Sequence, residues 1–206
     1  MSEKILEEER RAKIILETLF PKYSSLEKSE RPDWIDTACS LGVEVTLATD
    51  FNVNKNTDHI QKKLINKNIE TVSEKSQERL AESGLHLVTK QKNDKKKIGE
   101  IIGAVRIYKE AEHELIFNAM QSKYPKMYPN LECFVLYIVA YSIFPQTFGK
   151  ADRKNVFDKA QEFEKQYEFR FNQIIIDFYG TLLVFDIQTE TIQEFEYDPT
   201  IITNQS

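Results

Sequence analysis

Apolar positions recur at helical spacing over residues 2–20, where Ile5, Ala12, Leu16 and Leu19 fall on one face. Ser2 is placed to cap that helix and Pro21 to end it. After a polar connection, KYSSLEKSER (22–31), the period changes. Two short strands are expected, over 33–37 and 42–48, joined by a tight turn that ends near Gly42. Residues 50–97 carry two polar, helix-prone pieces (55–67 and 71–83), a brief strand at GLHLV (84–88) and a basic loop, KQKNDKKK (90–97). Helical spacing returns from 98 to 120, with Ile98, Ile101, Ile102, Val105, Tyr108, Leu115, Ile116 and Ala119 in one stripe. Two prolines in KYPKMYPN (123–130) break it. The apolar run 132–144 then reads as a buried central strand, 153–169 as an amphipathic helix, and the tail from 172 to 197 as two or three antiparallel strands.

This order predicts an α/β (or α+β) protein, a mixed sheet flanked by helices. We read it as one domain, 1–206, with its core in 2–48 and 98–144. A polar helical insertion fills 50–97, and a C-terminal helix and hairpin fill 153–197. The run CFVLYIVAYSIF (133–144) is shorter than the ~20 residues that span a bilayer, so no membrane partner is expected. Two cysteines, Cys39 and Cys133, are too few for a disulfide framework and fit a reducing cytoplasm. The net charge of −5 argues against a broad, nonspecific nucleic-acid coat.

Within this pattern two acids stand out. Asp33 follows Pro32 at the mouth of one strand, and Glu44 interrupts the apolar run of the next. If the hairpin turns between Cys39 and Ser40, Asp33 lies opposite Thr46, and Asp33, Glu44 and Thr46 share a face. Two neighbouring carboxylates repel, so one is protonated or a cation lies between them. An all-oxygen pair with room for water suits Mg²⁺.

Pro32-Asp33, a ten-residue spacer and Glu44-Val45-Thr46 in an apolar strand resemble the signature of the PD-(D/E)XK nuclease superfamily, the restriction-endonuclease-like fold. The order helix, two strands, insertion, helix, strand is compatible with it. The resemblance implies that Asp33 and Glu44, with the Val45 carbonyl, hold Mg²⁺ or Mn²⁺, and that an acid on the first helix completes the cluster. Glu9 matches that acid, because it falls within the stripe of Ile5, Ala12, Leu16 and Leu19. The family's lysine two residues past the glutamate is replaced by Thr46. Some members carry this lysine on another element, and Lys109, inside the apolar stripe of 98–120 beside Glu112, is the candidate. The other reading of Lys109 is a buried aliphatic stem with its ammonium in water.

Near the C-terminus, IIIDFYGTLLVFD (174–186) resembles the first motif of haloacid-dehalogenase-type phosphatases, with Asp177 in the nucleophile's place. Tyr179 replaces that motif's second aspartate, and only 25 residues follow Thr181. A hairpin turning near Gly180 accounts for the stretch. No glycine-rich phosphate loop or Gly-x-Ser-x-Gly elbow is present, and His59, His86 and His113 are scattered. Three readings follow. They are a metal-dependent nuclease acting on DNA, a protein- or nucleic-acid-binding module on the same scaffold without catalysis, and an unrelated α+β domain.

Overall fold

The structure, a computed structural model, describes residues 3–38, 40–49, 59–82, 85–90, 99–106, 113–126, 128, 131–141 and 143–200. The chain divides into two compact units, Met1–Ala48 with His113–Ser206, and Thr49–Glu112. The first unit holds a seven-stranded mixed sheet flanked by helices. Helix α1 (Glu3–Leu19) comes first, followed by strands β1 (Glu27–Lys28), β2 (Trp34–Asp36) and β3 (Leu41–Leu47). The second unit contributes helix α2 (Glu74–Glu82) and strands β4 (Leu85–Lys90) and β5 (Glu100–Arg106). The first unit resumes with α3 (Glu114–Lys123), β6 (Cys133–Val139), α4 (Lys150–Tyr167), β7 (Gln173–Asp177), β8 (Thr181–Asp186) and β9 (Thr191–Glu196).

Its sheet runs in the order β1-β2-β3-β6-β7-β8-β9. Strands β3, β6 and β7 are mutually parallel, and the pairs on either side of them are antiparallel. Parallel strands are covered on both faces, which is why β6 reads CFVLYIV without alternation. Val135, Tyr137 and Val139 pack with Ala12, Ile15 and Leu16 of α1 on one face. Phe134, Leu136 and Ile138 pack with Ile116, Met120 and Val156 of α3 and α4 on the other. The expected central strand and first helix are therefore present, and α4 begins three residues earlier than its pattern suggests. The Gly149 N–H donates to Asp152 Oδ2 (3.0 Å) there and caps the helix start. The tail forms three strands, turning at Tyr179 and Gly180, whose φ values are 63° and 116°.

The helix expected over 98–120 does not form as one element. Residues 100–106 are strand β5, paired with β4, and among the described residues of this stretch the α-helix is Glu114–Lys123. Ile101 is fully buried while its neighbour Ile102 is 52 % exposed, which is the two-residue period of a strand. The β-branched residues satisfied a helical stripe equally well, and pairing with β4 decided between the periods. With β5 goes the proposed core boundary, since 98–112 groups with the insertion. That unit has its own small core of Ile60, Leu64, Val72, Leu80, Leu85 and Ile101.

Candidate functional site

Strand β3 alternates strictly. Val43 and Val45 enter the core under α1, so Glu44 points to the face covered by α3. The β2–β3 register pairs Trp34 with Val43 and Asp36 with Leu41. Carried one residue outward, it sets Asp33 level with Glu44, and not with Thr46 as the hairpin drawn from sequence had it. The turn closes earlier than expected because the Ala38 N–H donates to Asp36 Oδ1 (3.0 Å). Gly42 fixes the close approach, since a Cβ there would lie 2.6 Å from Pro32 Cγ. The two acids of the motif are thus closer in register than sequence pairing placed them.

Glu44 is 2 % exposed, and a carboxylate so placed needs partners. Two lysines supply them. Lys123 Nζ donates to Glu44 Oε1 (2.5 Å) and to the Val45 carbonyl (2.9 Å), and Lys126 Nζ donates to the same Oε1 (2.9 Å). Glu44 Oε2 is buried with no hydrogen-bond partner among the described residues. Burial lowers the Lys123 pKa, opposed by Glu44. Burial also works against the Lys126 charge and is the largest single influence on it, but hydrogen bonds to Glu44 and Lys123 and the charges of Glu44 and Asp33 together outweigh it and raise its pKa.

Asp33 is 6 % exposed, and its Oδ2 accepts the Val45 N–H (2.7 Å). Burial first, and then the charge of Glu44, push its pKa up to about 6, against the Val45 hydrogen bond and Lys123. Glu9 is buried too, on the face of α1 that meets the sheet. Its carboxylate pairs with Lys28 of β1, and its carbonyl accepts the Trp34 indole N–H (3.0 Å). Trp34 is core on that face. Glu9 therefore lies on the opposite side of the sheet from Glu44 and acts on Asp33 through its charge.

Lys109 lies outside the described residues. The lysines that reach the pair are Lys123 and Lys126, which the sequence reading missed. Ile116, Ala119, Met120 and Lys123 follow one another at i, i+3, i+4 and i+7, so Lys123 is the next position of the apolar stripe. The expected helix stopped at 120, one turn short of it.

Among the described residues no group of three or more His, Cys, Asp or Glu side chains converges as a metal cage. The site offers two carboxylates and a carbonyl instead. That donor set fits Mg²⁺ or Mn²⁺, which take one or two carboxylates and keep several waters. The orphaned, buried Glu44 Oε2 is the atom such an ion would satisfy.

A second buried acid lies on the α1 face, at the end of β7. Asp177 Oδ2 accepts the hydroxyls of Tyr137 (2.7 Å) and Tyr141 (3.2 Å), and Oδ1 accepts those of Tyr197 (2.7 Å) and the Tyr179 N–H (2.9 Å). The Arg11 guanidinium stacks on the rings of Tyr141 (4.8 Å) and Tyr179 (4.5 Å). Burial raises the Asp177 pKa, against its four hydrogen bonds. An acid with both oxygens filled has no lone pair turned to a substrate, so this cluster is structural.

No family model, curated protein or solved structure matches the chain. Its fold class, a mixed α/β sheet flanked by helices, and the chemistry of its own residues carry the functional reading. No helix among the described residues is long and apolar enough to cross a membrane.

Proposed function

We propose that the chain is a PD-(D/E)XK-like hydrolase that cleaves phosphodiester bonds in DNA with Mg²⁺ or Mn²⁺. The observation that supports this most is the delivery of the Lys123 ammonium, from α3, onto Glu44 and the Val45 carbonyl. It supplies the basic partner that Thr46 cannot. Asp33, Glu44 and the Val45 carbonyl would hold the ion, which when bound lowers the pKa of a water and neutralises charge on the phosphate. Lys123 would orient the attacking water or a phosphate oxygen. Glu9 contributes negative charge near Asp33 while paired with Lys28.

Purified protein should nick plasmid and single-stranded DNA in Mn²⁺, and Asp33→Ala and Lys123→Met should abolish this while remaining folded. Cleavage that survives in Asp33→Ala would refute the assignment. The rival reading, a binding module on this scaffold without catalysis, draws on the same contacts, because two lysines already neutralise Glu44. It requires that no cleavage occur and that Mn²⁺ leave the melting temperature unchanged.

A further inference from the structure

Glu44 carries its partners unevenly. Oε1 receives two ammonium groups, and Oε2, buried beside it, receives none among the described residues. The two ammoniums lie 2.5 and 2.9 Å from that one oxygen. Two positive charges crowd one oxygen, and together they bring to Glu44 the same +2 as one divalent ion. Lys123 reaches the Val45 carbonyl as well. It therefore stands on two of the three groups assigned above to the metal.

The holders of these charges differ in freedom. The Lys123 side chain is 13 % exposed at the last position of α3, and that of Lys126 is 37 % exposed just beyond the helix end. A long, unbranched chain on that rim can swing its ammonium into water at little cost, because water solvates it better than the interior does. Glu44, if it held a divalent ion, would gain for the orphaned Oε2 the partner it lacks.

We propose that Lys123 and Lys126 form a cationic latch on Glu44, which a divalent metal ion displaces when it binds Asp33, Glu44 and the Val45 carbonyl. The inference rests on reading these three groups as a metal site. Metal binding is then an exchange. The ion competes with the lysines, so the latched protein binds metal more weakly than its ligands alone would. The freed ammoniums lie beside the ion, where they face an incoming phosphate.

Calorimetric titration of MnCl₂ into the full chain tests the exchange on wild type, Lys126→Met, Lys123→Met and Lys126→Met/Glu44→Gln. The dissociation constant for Mn²⁺ should fall about threefold in Lys126→Met and tenfold or more in Lys123→Met. The double variant should show no binding. Because Lys123→Met leaves Glu44 with one partner and can lose stability, the rim variant Lys126→Met keeps the test decisive. Equal or weaker Mn²⁺ affinity in Lys126→Met overturns the latch, as does tighter binding that persists when Glu44 is Gln. The two proposals fail separately. Tighter Mn²⁺ binding without any cleavage by wild type sinks the nuclease reading and leaves the latch. Cleavage by wild type with Mn²⁺ affinity unchanged in the lysine variants does the reverse.

Discussion

The sheet buries acids on both faces, and the two sites solve the same problem in opposite ways. Asp177, under α1, is surrounded by neutral donors, three tyrosine hydroxyls and one backbone N–H, which fill both its oxygens. Glu44, under α3, is met by charge, with two lysines on one oxygen and, among the described residues, nothing on the other. Neutral, complete solvation fixes a fold, since every donor has one place to go. Charged, incomplete solvation leaves room for a ligand. The carboxyl group itself does not distinguish the two acids. What distinguishes them is whether the shell around each is finished.

The sharpest way to break this comparison is catalytic. Asp33→Ala and Glu44→Gln should each reduce cleavage by about a thousandfold, equivalent to ~4 kcal/mol of barrier, read as initial rates of plasmid nicking. Asp177→Ala should leave the rate per folded molecule unchanged. It should instead lower stability by about 3 kcal/mol in urea unfolding, because three tyrosine hydroxyls lose their acceptor. A cleavage defect in Asp177→Ala would erase the distinction drawn here.

The pH dependence of stability sharpens it further. Asp33 holds its proton in the folded chain to about pH 6, whereas the unfolded chain ionises near 3.8. The stability this gives is full below about pH 3.8, declines as pH rises, and is gone above about 6. Asp33→Asn should remove roughly 2–3 kcal/mol of that decline. Urea midpoints from pH 3.5 to 7 on both proteins measure it, and parallel curves would count against the buried, protonated Asp33. Next in size is Tyr197→Phe, which takes one of four donors from Asp177 and should cost about 1 kcal/mol. Smallest is Thr46→Val. It should change neither stability by more than about 0.5 kcal/mol nor the cleavage rate by more than about twofold, because the ammonium comes from Lys123.

Much of this was legible along the chain. The unbroken apolar run of β6 announced a strand buried on both faces, and Pro21 announced the end of α1. Gly180 marked the tail hairpin. Glu44 and, at the strand's mouth, Asp33 stood out because an acid in an apolar strand is costly wherever the strand lies, whereas the Val45 carbonyl was named only through the family resemblance. Glu9 was legible for the same reason on a helix, although its carboxylate went to Lys28. The stripe from Ile101 to Ile116 was ambiguous, because β-branched residues at those spacings suit either period. Pairing between β4 and β5, set by a partner strand ten residues away in the chain, chose the strand.

By itself, the sequence determined the layered α/β order and the burial of Asp33 and Glu44, since both follow from local period and the cost of removing charge from water. Only the tertiary structure decided which cation meets them. Lys123 is 79 residues from Glu44, with the whole insertion between them, and no local pattern carries information across that distance. The same holds for Asp177, whose tyrosines come from β6, the turn after it and the end of β9. Whether a buried acid is finished or left open depends on neighbours that folding alone assembles.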